Sequence, residues 1–417
     1  MAEPLIIVGL VVAVFVGYNI GGSSTGVAFG PAVGSRIVRK VTAAALFTLF
    51  AFLGAWTVGR NVIDTMSNQI VEAAAFTPEA SVGVLFFTGF ALLVSNVYGV
   101  PASTSMTAVG AIVGLGLATD TLNAALMFTI VSAWIVAPLI AFFAGAIVGR
   151  YLYPYLDAVL SFGRLQAPLV GVDDSGSIPR PQLNKNAASR DLVGSTLVVA
   201  IACYMGFSAG ASNAANAVAP LVGNGAVDAD LAILLAVGSI GLGGFTIARR
   251  TLATVGDDIT DLPILAALIV STVGATIITV LSWLGIPASL AVSTTCCIIG
   301  LGWGRASRAT TLAEMATPQG PEERPELTTG ALTAPPTDDP DEAPPGPTVG
   351  ELAEGETPDP EDQRAADGGV PRIGEEDPQA IPAESLFDPR ATARIVILWV
   401  VTPTLSVVGA YLLFSII

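Results

Sequence analysis

Long apolar stretches alternate with short polar ones along this chain. The apolar runs cover roughly 4–20, 41–59, 82–100, 101–117, 123–149, 191–208, 229–247, 262–285, 286–303 and 393–416. A helix of about 20 residues crosses the ~30 Å hydrocarbon core of a bilayer, and several runs reach that length. The run 101–117 is shorter and rich in Gly, Ser and Thr, which predicts a half-helix or re-entrant segment. Two polar segments interrupt the pattern. The first, 151–189, opens on the amphipathic piece Tyr151–Leu160; the second, 309–390, has no sustained apolar periodicity. The pattern predicts an all-α polytopic membrane protein.

The runs are internally related. Gly21–Gly34 aligns without gaps on Gly210–Gly223 at an offset of 189, with six of fourteen positions identical. Pro101–Gly116 aligns on Pro287–Gly302 at an offset of 186, with seven of sixteen identical. A third pair closes each half: Trp134-Ile-Val-Ala-Pro138 against Trp399-Val-Val-Thr-Pro403, at an offset of 265. The larger last offset makes 309–390 an insertion in the second half. The expected organisation is a first membrane repeat over 1–150, a cytoplasmic loop over 151–189 and the first part of a second repeat over 190–308. A disordered acidic Pro-rich cytoplasmic loop over 309–390 and a last transmembrane helix over 391–417 complete it. Duplicated halves with Gly/Pro-broken apolar segments at matching places point to a secondary transporter. Arg150 and Arg164 end the first half, and Arg180, Lys185 and Arg190 precede the second. The positive-inside rule places these residues in the cytoplasm. An odd number of crossings per half then makes the repeats inverted, with both termini outside.

Composition sharpens this. Only 12% of residues are charged, about half the share of a soluble domain. The net charge of −16 belongs to 309–390, which holds 20 acidic and four basic residues and 15 of the 28 prolines. That segment cannot bury enough surface to offset its ordering entropy. Its acidity, with two Lys among 18 basic residues, fits a host with high internal salt. Histidine is absent, which removes most transition-metal and histidine-dependent chemistry. Neither Lys40 nor Lys185 follows Gly, so there is no P-loop lysine. No acid–base or nucleophile pair stands inside an apolar run, which argues against an enzyme.

The paired motifs combine glycine, which admits close backbone approach, with Ser, Thr and Asn, which donate to an oxyanion without a fixed charge. They fall where an apolar helix is expected to break and expose terminal N–H groups. The competing reading makes the small residues helix-packing contacts. Gly210-Ala-Ser-Asn-Ala-Ala-Asn-Ala217, the looser Gly21-Gly-Ser-Ser-Thr-Gly-Val-Ala28, and Val100-Pro-Ala-Ser-Thr-Ser105 resemble the signatures of the inorganic phosphate transporters of the PiT type. Thr254-Val-Gly256 with Ile259-Thr260 fits as well.

The resemblance implies a cation-coupled phosphate permease, driven by Na+ or H+, with no cofactor beyond a coupling Na+. The family's signature aspartates are replaced here by Ser24 and Asn213, and its motif histidine by Met106. Its later asparagine is kept as Asn216 and lost as Val27. In the second half Leu290 and Ala291 replace a threonine pair, with Ser293, Thr294 and Thr295 one turn on. The expected substrate ligands are Ser23, Ser24, Thr25, Ser103, Thr104, Ser105, Ser212, Asn213, Asn216, Ser293, Thr294 and Thr295. Ser24, Asn213 and Asn216 are also the candidate cation ligands. The expected partners are phosphate or another oxyanion, the lipid bilayer of the cell membrane and, as an open assembly state, a second copy in a homodimer. Nothing points to nucleic acid. Two alternatives stand beside phosphate transport: a sulfate or other oxyanion permease of the same family, and a non-transporting homologue that senses the anion or serves as a partner subunit.

Overall fold

Apolar runs this long in a chain with so little charge fold as helices, because lipid offers no partner for an open backbone hydrogen bond. The structure, a computed structural model, describes residues 2–35, 37–97, 103–160, 170–173, 180–183, 189–246, 264–309 and 389–416. Nearly all of the acidic segment lies outside these residues. So do Val100, Arg164, Lys185, Arg249, Arg250 and the stretch 254–261.

In chain order the helices are α1 (Ala2–Gly34), α2 (Lys40–Thr57), α3 (Gly59–Asp64), α4 (Pro78–Val97), α5 (Thr104–Thr119) and α6 (Ala124–Ile147). Then come α7 (Tyr153–Leu160), α8 (Ser189–Gly223), α9 (Ala229–Thr246), α10 (Ile264–Trp283), α11 (Leu290–Ala306) and α12 (Pro389–Phe414). A π-helical turn, Thr65–Gln69, extends α3, and another, Val148–Leu152, joins α6 to α7. Between the halves, β1 (Val170–Asp173) and β2 (Arg180–Leu183) pair antiparallel, a small hairpin beside an otherwise helical chain. Among the described residues seven helices are long and apolar enough to span a membrane, and Thr104–Thr119 and Leu290–Ala306 are shorter apolar helices.

The repeat read from sequence recurs in the element bounds. The 18 residues of α9 start 189 positions after the 18 of α2, and the 20 of α10 start 186 after the 20 of α4. Packing is reciprocal between the halves. The closest helix pairs are α6 with α11, α5 with α12, α2 with α8, and α1 with α9, so each half's elements dock mainly on the other's. Small residues allow it. A Cβ on Gly300 or Gly304 of α11 would strike the carbonyls of Phe142 or Ala146, and one on Gly145 of α6 or Gly149 of the π-helical turn after it those of Cys297 or Leu301. The two helices thus interlock through backbone contact, as small-xxx-small pairs do in lipid. Gly9 of α1 lies against Leu221 near the end of α8, while Ser24 farther along α1 meets Asn213. α1 and its counterpart α8 therefore run antiparallel, as inverted halves require.

Helices α4 and α5 form a hairpin that enters and leaves on one face. Ser81 at the start of α4 donates to the Pro220 carbonyl near the end of α8 (2.8 Å), and Val71 bridges Leu122 just after α5. Phe414 at the end of α12 lies against Gly83, so α12 ends on the face where α1 begins. Arg150 and Arg308, both buried, staple the far ends of α6 and α11. Arg150 donates to the Ser307 carbonyl, and Arg308 donates to the Arg150 carbonyl at 2.6 Å. Arg60 anchors the other face: it pairs with Asp230 at 2.6 Å and lies 4.4 Å over the Trp56 ring.

One expectation is corrected. The motif helices do not break: α1 runs unbroken for 33 residues through Gly21–Gly34, and α8 for 35 through Gly210–Gly223. Their glycines make room for neighbours instead. A Cβ on Gly21 would strike the Ile240 carbonyl, and one on Gly210 that of Ala51. Among the described residues the break at a paired motif lies between α10 and α11.

Candidate functional site

The break before α11 contains Gly285, whose φ of +74° suits glycine, and then Pro287. A proline cannot extend α10, and the residue before it avoids helical geometry. Ser289 caps the new helix, accepting from the Val292 N–H at 3.4 Å. Ser103 is the N-cap residue of α5, and its carbonyl accepts from Thr107 N–H at 3.0 Å. The first N–H groups of each helix have no partner within it. Each N-terminus also carries roughly half a positive charge from the aligned peptide dipoles.

These two ends meet. Ser105 Oγ donates to the Ala288 carbonyl at 3.0 Å, across the two halves. Asn216 Nδ2 donates to Ser105 Oγ at 3.2 Å and to Asn213 Oδ1 at 3.1 Å. Thr104 Oγ1 donates to Asn213 Oδ1 at 2.6 Å, and Asn213 Nδ2 reaches Ser24 Oγ at 3.4 Å. Ser24, Thr104, Ser105, Asn213 and Asn216 therefore form one connected network drawn from α1, α5 and α8. Thr104, Ser105, Asn213 and Asn216 are buried. Ser103 is fully buried, and its Oγ, like Asn216 Oδ1, has no hydrogen-bond partner among the described residues. Buried polar atoms are rarely left so, because each costs about 1–3 kcal/mol. Among the described residues no carboxylate belongs to the network.

The other expected ligands stand apart from it. Thr25 Oγ1 donates to the Gly21 carbonyl of its own helix at 2.8 Å and faces Gly244 of α9. Ser212 Oγ likewise turns back to Ala209, at 3.4 Å. Ser23 is half-buried beside Ser24. Thr294 donates to the carbonyls of Leu290 and Ala291 and packs against Gly274 of α10. Ser293 is buried in the first turn of α11, and Thr295 is half-buried.

Two polar features were missed from sequence. Ser289 stands where Ser103 stands in the first half, as the matched Pro-Ala-Ser triplets 101–103 and 287–289 could have shown. Asn96 at the end of α4 donates to Asn19 Oδ1 of α1 at 3.1 Å, about a turn before Ser23. No repeat match marks that pair.

Membrane-spanning helices in two interlocked halves, around a buried uncharged polar network at opposed helix ends, define a polytopic membrane transporter. The chain belongs to the phosphate transporter family, whose sequence profile matches residues 20–318. It is 30% identical over 294 residues to the sulfate permease CysP of Bacillus subtilis, covering 70% of this chain and 76% of that one. A Pyrococcus furiosus protein named as a phosphate permease is 22% identical, covering 74% and 90%. One from Chlamydia pneumoniae, similarly named, is 26% identical, covering 74% and 92%. A solved structure titled the sodium-dependent phosphate transporter shares the fold, with a TM-score of 0.62 at 18% identity and full coverage of both chains.

Proposed function

We propose that the chain is a secondary active permease for a tetrahedral inorganic oxyanion, with phosphate as the first reading and alternating access as the mechanism. The observation that carries it is the meeting of the α5 and α11 N-termini at a buried network of neutral hydrogen-bond groups. Such ends attract an anion through unpaired N–H groups and helix dipoles. Ser103, Thr104, Ser105, Asn213, Asn216 and Ser24 are the ligands this reading assigns. Phosphate is supported by the family and by the names of several relatives. Cation coupling is supported by the sodium-dependent transporter that shares the fold. Asn216 Oδ1, without a partner among the described residues, is open to a coupling Na+, whereas Asn213 Oδ1 already accepts from two donors.

Sulfate is the second reading, and one feature favours it. Phosphate near neutral pH still carries a proton and calls for an acceptor, whereas sulfate carries none. Among the described residues the network holds no carboxylate to accept that proton, and the Bacillus subtilis relative is named a sulfate permease. The test is uptake of labelled phosphate and labelled sulfate into proteoliposomes, each with and without a sodium gradient. Uptake of one anion in excess of protein-free vesicles identifies the substrate. Binding without uptake leaves the non-transporting alternative, and neither binding nor uptake overturns the proposal.

A further inference from the structure

The carbonyls of the break before α11 are held from outside the second half. Trp134 of α6 donates its indole N–H to the Pro287 carbonyl at 2.7 Å. Ser105 takes the next carbonyl, Ala288, at 3.0 Å. Two consecutive carbonyls of a segment that has left helical geometry are thus fixed by donors of the first half. Pro287, Ala288 and Ser289 are buried, so the carbonyl that Trp134 satisfies has no ready replacement in water. The indole sits on the helix that interlocks with α11 farther along, through Gly145, Gly149, Gly300 and Gly304. α6 therefore holds α11 along its length and holds the segment that aims its N-terminus. The second half has Trp399 at the matching place in its own repeat, on the helix that packs on α5.

We infer that Trp134 is a positioning residue: its indole N–H sets where the N-terminus of α11 points and thereby tunes the affinity of the anion site. The inference rests on the anion-site reading proposed above. The indole N–H is given to the Pro287 carbonyl, so its effect on the anion site passes through the Pro287–Ser289 backbone. An indole that merely satisfies its own N–H in a helix interface would affect stability alone.

The test compares Trp134→Phe with Trp283→Phe, whose side chain is exposed. Two readouts are taken on purified full-length protein. The first is the KM and maximal rate of proteoliposome uptake for whichever of phosphate or sulfate the wild type carries. The expected result for Trp134→Phe is a KM raised about tenfold, the scale of one hydrogen bond to a fixed group, with the maximal rate within about twofold. In a cycle with Ser105→Ala, the double variant should lose less than the product of the single losses, because both donors hold one segment. The second readout needs no anion: amide hydrogen exchange over 286–292 should be faster in Trp134→Phe and unchanged in Trp283→Phe. An unchanged KM, or an exchange rate over 286–292 equal to wild type, overturns the inference. If the wild type carries neither anion while exchange still accelerates, the oxyanion reading fails and the positioning of α11 stands. Should Trp134→Phe not reach the membrane, Trp134→Tyr carries the same two readouts, since its hydroxyl lies at a different reach from the indole N–H.

Discussion

Asn213→Asp puts a charge where the network is neutral. Asn213 Oδ1 accepts from Thr104 Oγ1 at 2.6 Å and from Asn216 Nδ2 at 3.1 Å, so a carboxylate keeps both donors. The weaker contact, Nδ2 to Ser24 Oγ at 3.4 Å, can reverse, with the serine hydroxyl donating. The variant should therefore fold. The anion meets the change directly. At an effective dielectric of about 20, unit charges ~5 Å apart repel by roughly 3 kcal/mol, and a dianion doubles that. Even a half-screened value of ~3 kcal/mol weakens binding by about a hundredfold. A cation next to the carboxylate offsets it, so sodium should rescue the variant far more than the wild type. The assay is equilibrium binding of labelled sulfate and phosphate to purified protein across a sodium titration at constant ionic strength, with Asn213→Ala as the neutral control. The control leaves Thr104 and Asn216 each short of an acceptor and should weaken binding about tenfold with no sodium rescue. Binding by Asn213→Asp equal to wild type without sodium would place the anion away from α8 and refute the reasoning.

Gly300→Val should cost at least ~3 kcal/mol and deplete folded protein, because any Cβ there strikes the Phe142 carbonyl; detergent thermal melts read it, and a wild-type midpoint would contradict the interlocked α6–α11 pair. Glu72→Cys and Lys40→Cys sit on exposed positions at opposite faces, and in a background without the native cysteines an impermeant thiol reagent applied to intact cells should label only the first. Deleting roughly 320–380 should leave uptake within about twofold of wild type, since a segment of that composition adds no core; loss of uptake with normal membrane insertion would contradict this.

How much of this was legible beforehand depends on what each residue's neighbours had to supply. The repeat was legible because its signal is internal: offsets of 189 and 186 in sequence reappear as helix bounds. The short helix expected over 101–117 appears as α5, Thr104–Thr119, and was legible from its limited apolar length. The continuity of α1 and α8 was not. Gly21 and Gly210 look like breakers until a carbonyl from another helix is seen filling the space a Cβ would need. Side-chain direction hid the rest. Thr25 and Ser212 turn to their own helix carbonyls, an option open to any helical Ser or Thr. Ser293, Thr294 and Thr295 read as a displaced motif, but consecutive helical residues point ~100° apart, and Thr294 faces α10. Trp134 read as a repeat marker, and only the structure shows the carbonyl 153 residues away that its indole holds.

The reciprocal packing also sets what must separate for the site to open. α5 is bound along α12 and α11 along α6, through backbone-close glycine contacts that leave little room for sliding. Each pair is therefore expected to move as a body, and Ser105 of the network proposed for the anion lies where the pairs touch. The Ser105–Ala288 hydrogen bond joins the N-terminal end of α5 to the segment leading into α11, so it spans that seam. Alternating access by rocking one body against the other must stretch it in at least one state. A covalent tie there should then stop the cycle without removing the site. The protein for this test carries Ser105→Cys and Ala288→Cys, with Cys203, Cys296 and Cys297 replaced by Ala. A short thiol-specific cross-linker should abolish uptake in the double variant, leave each single variant active, and preserve anion binding within about tenfold. A reductant that cleaves the linker should restore uptake. Full transport by protein shown to be cross-linked would mean that the two bodies do not part at this seam, and that the moving boundary lies elsewhere, between α1–α9 and α2–α8.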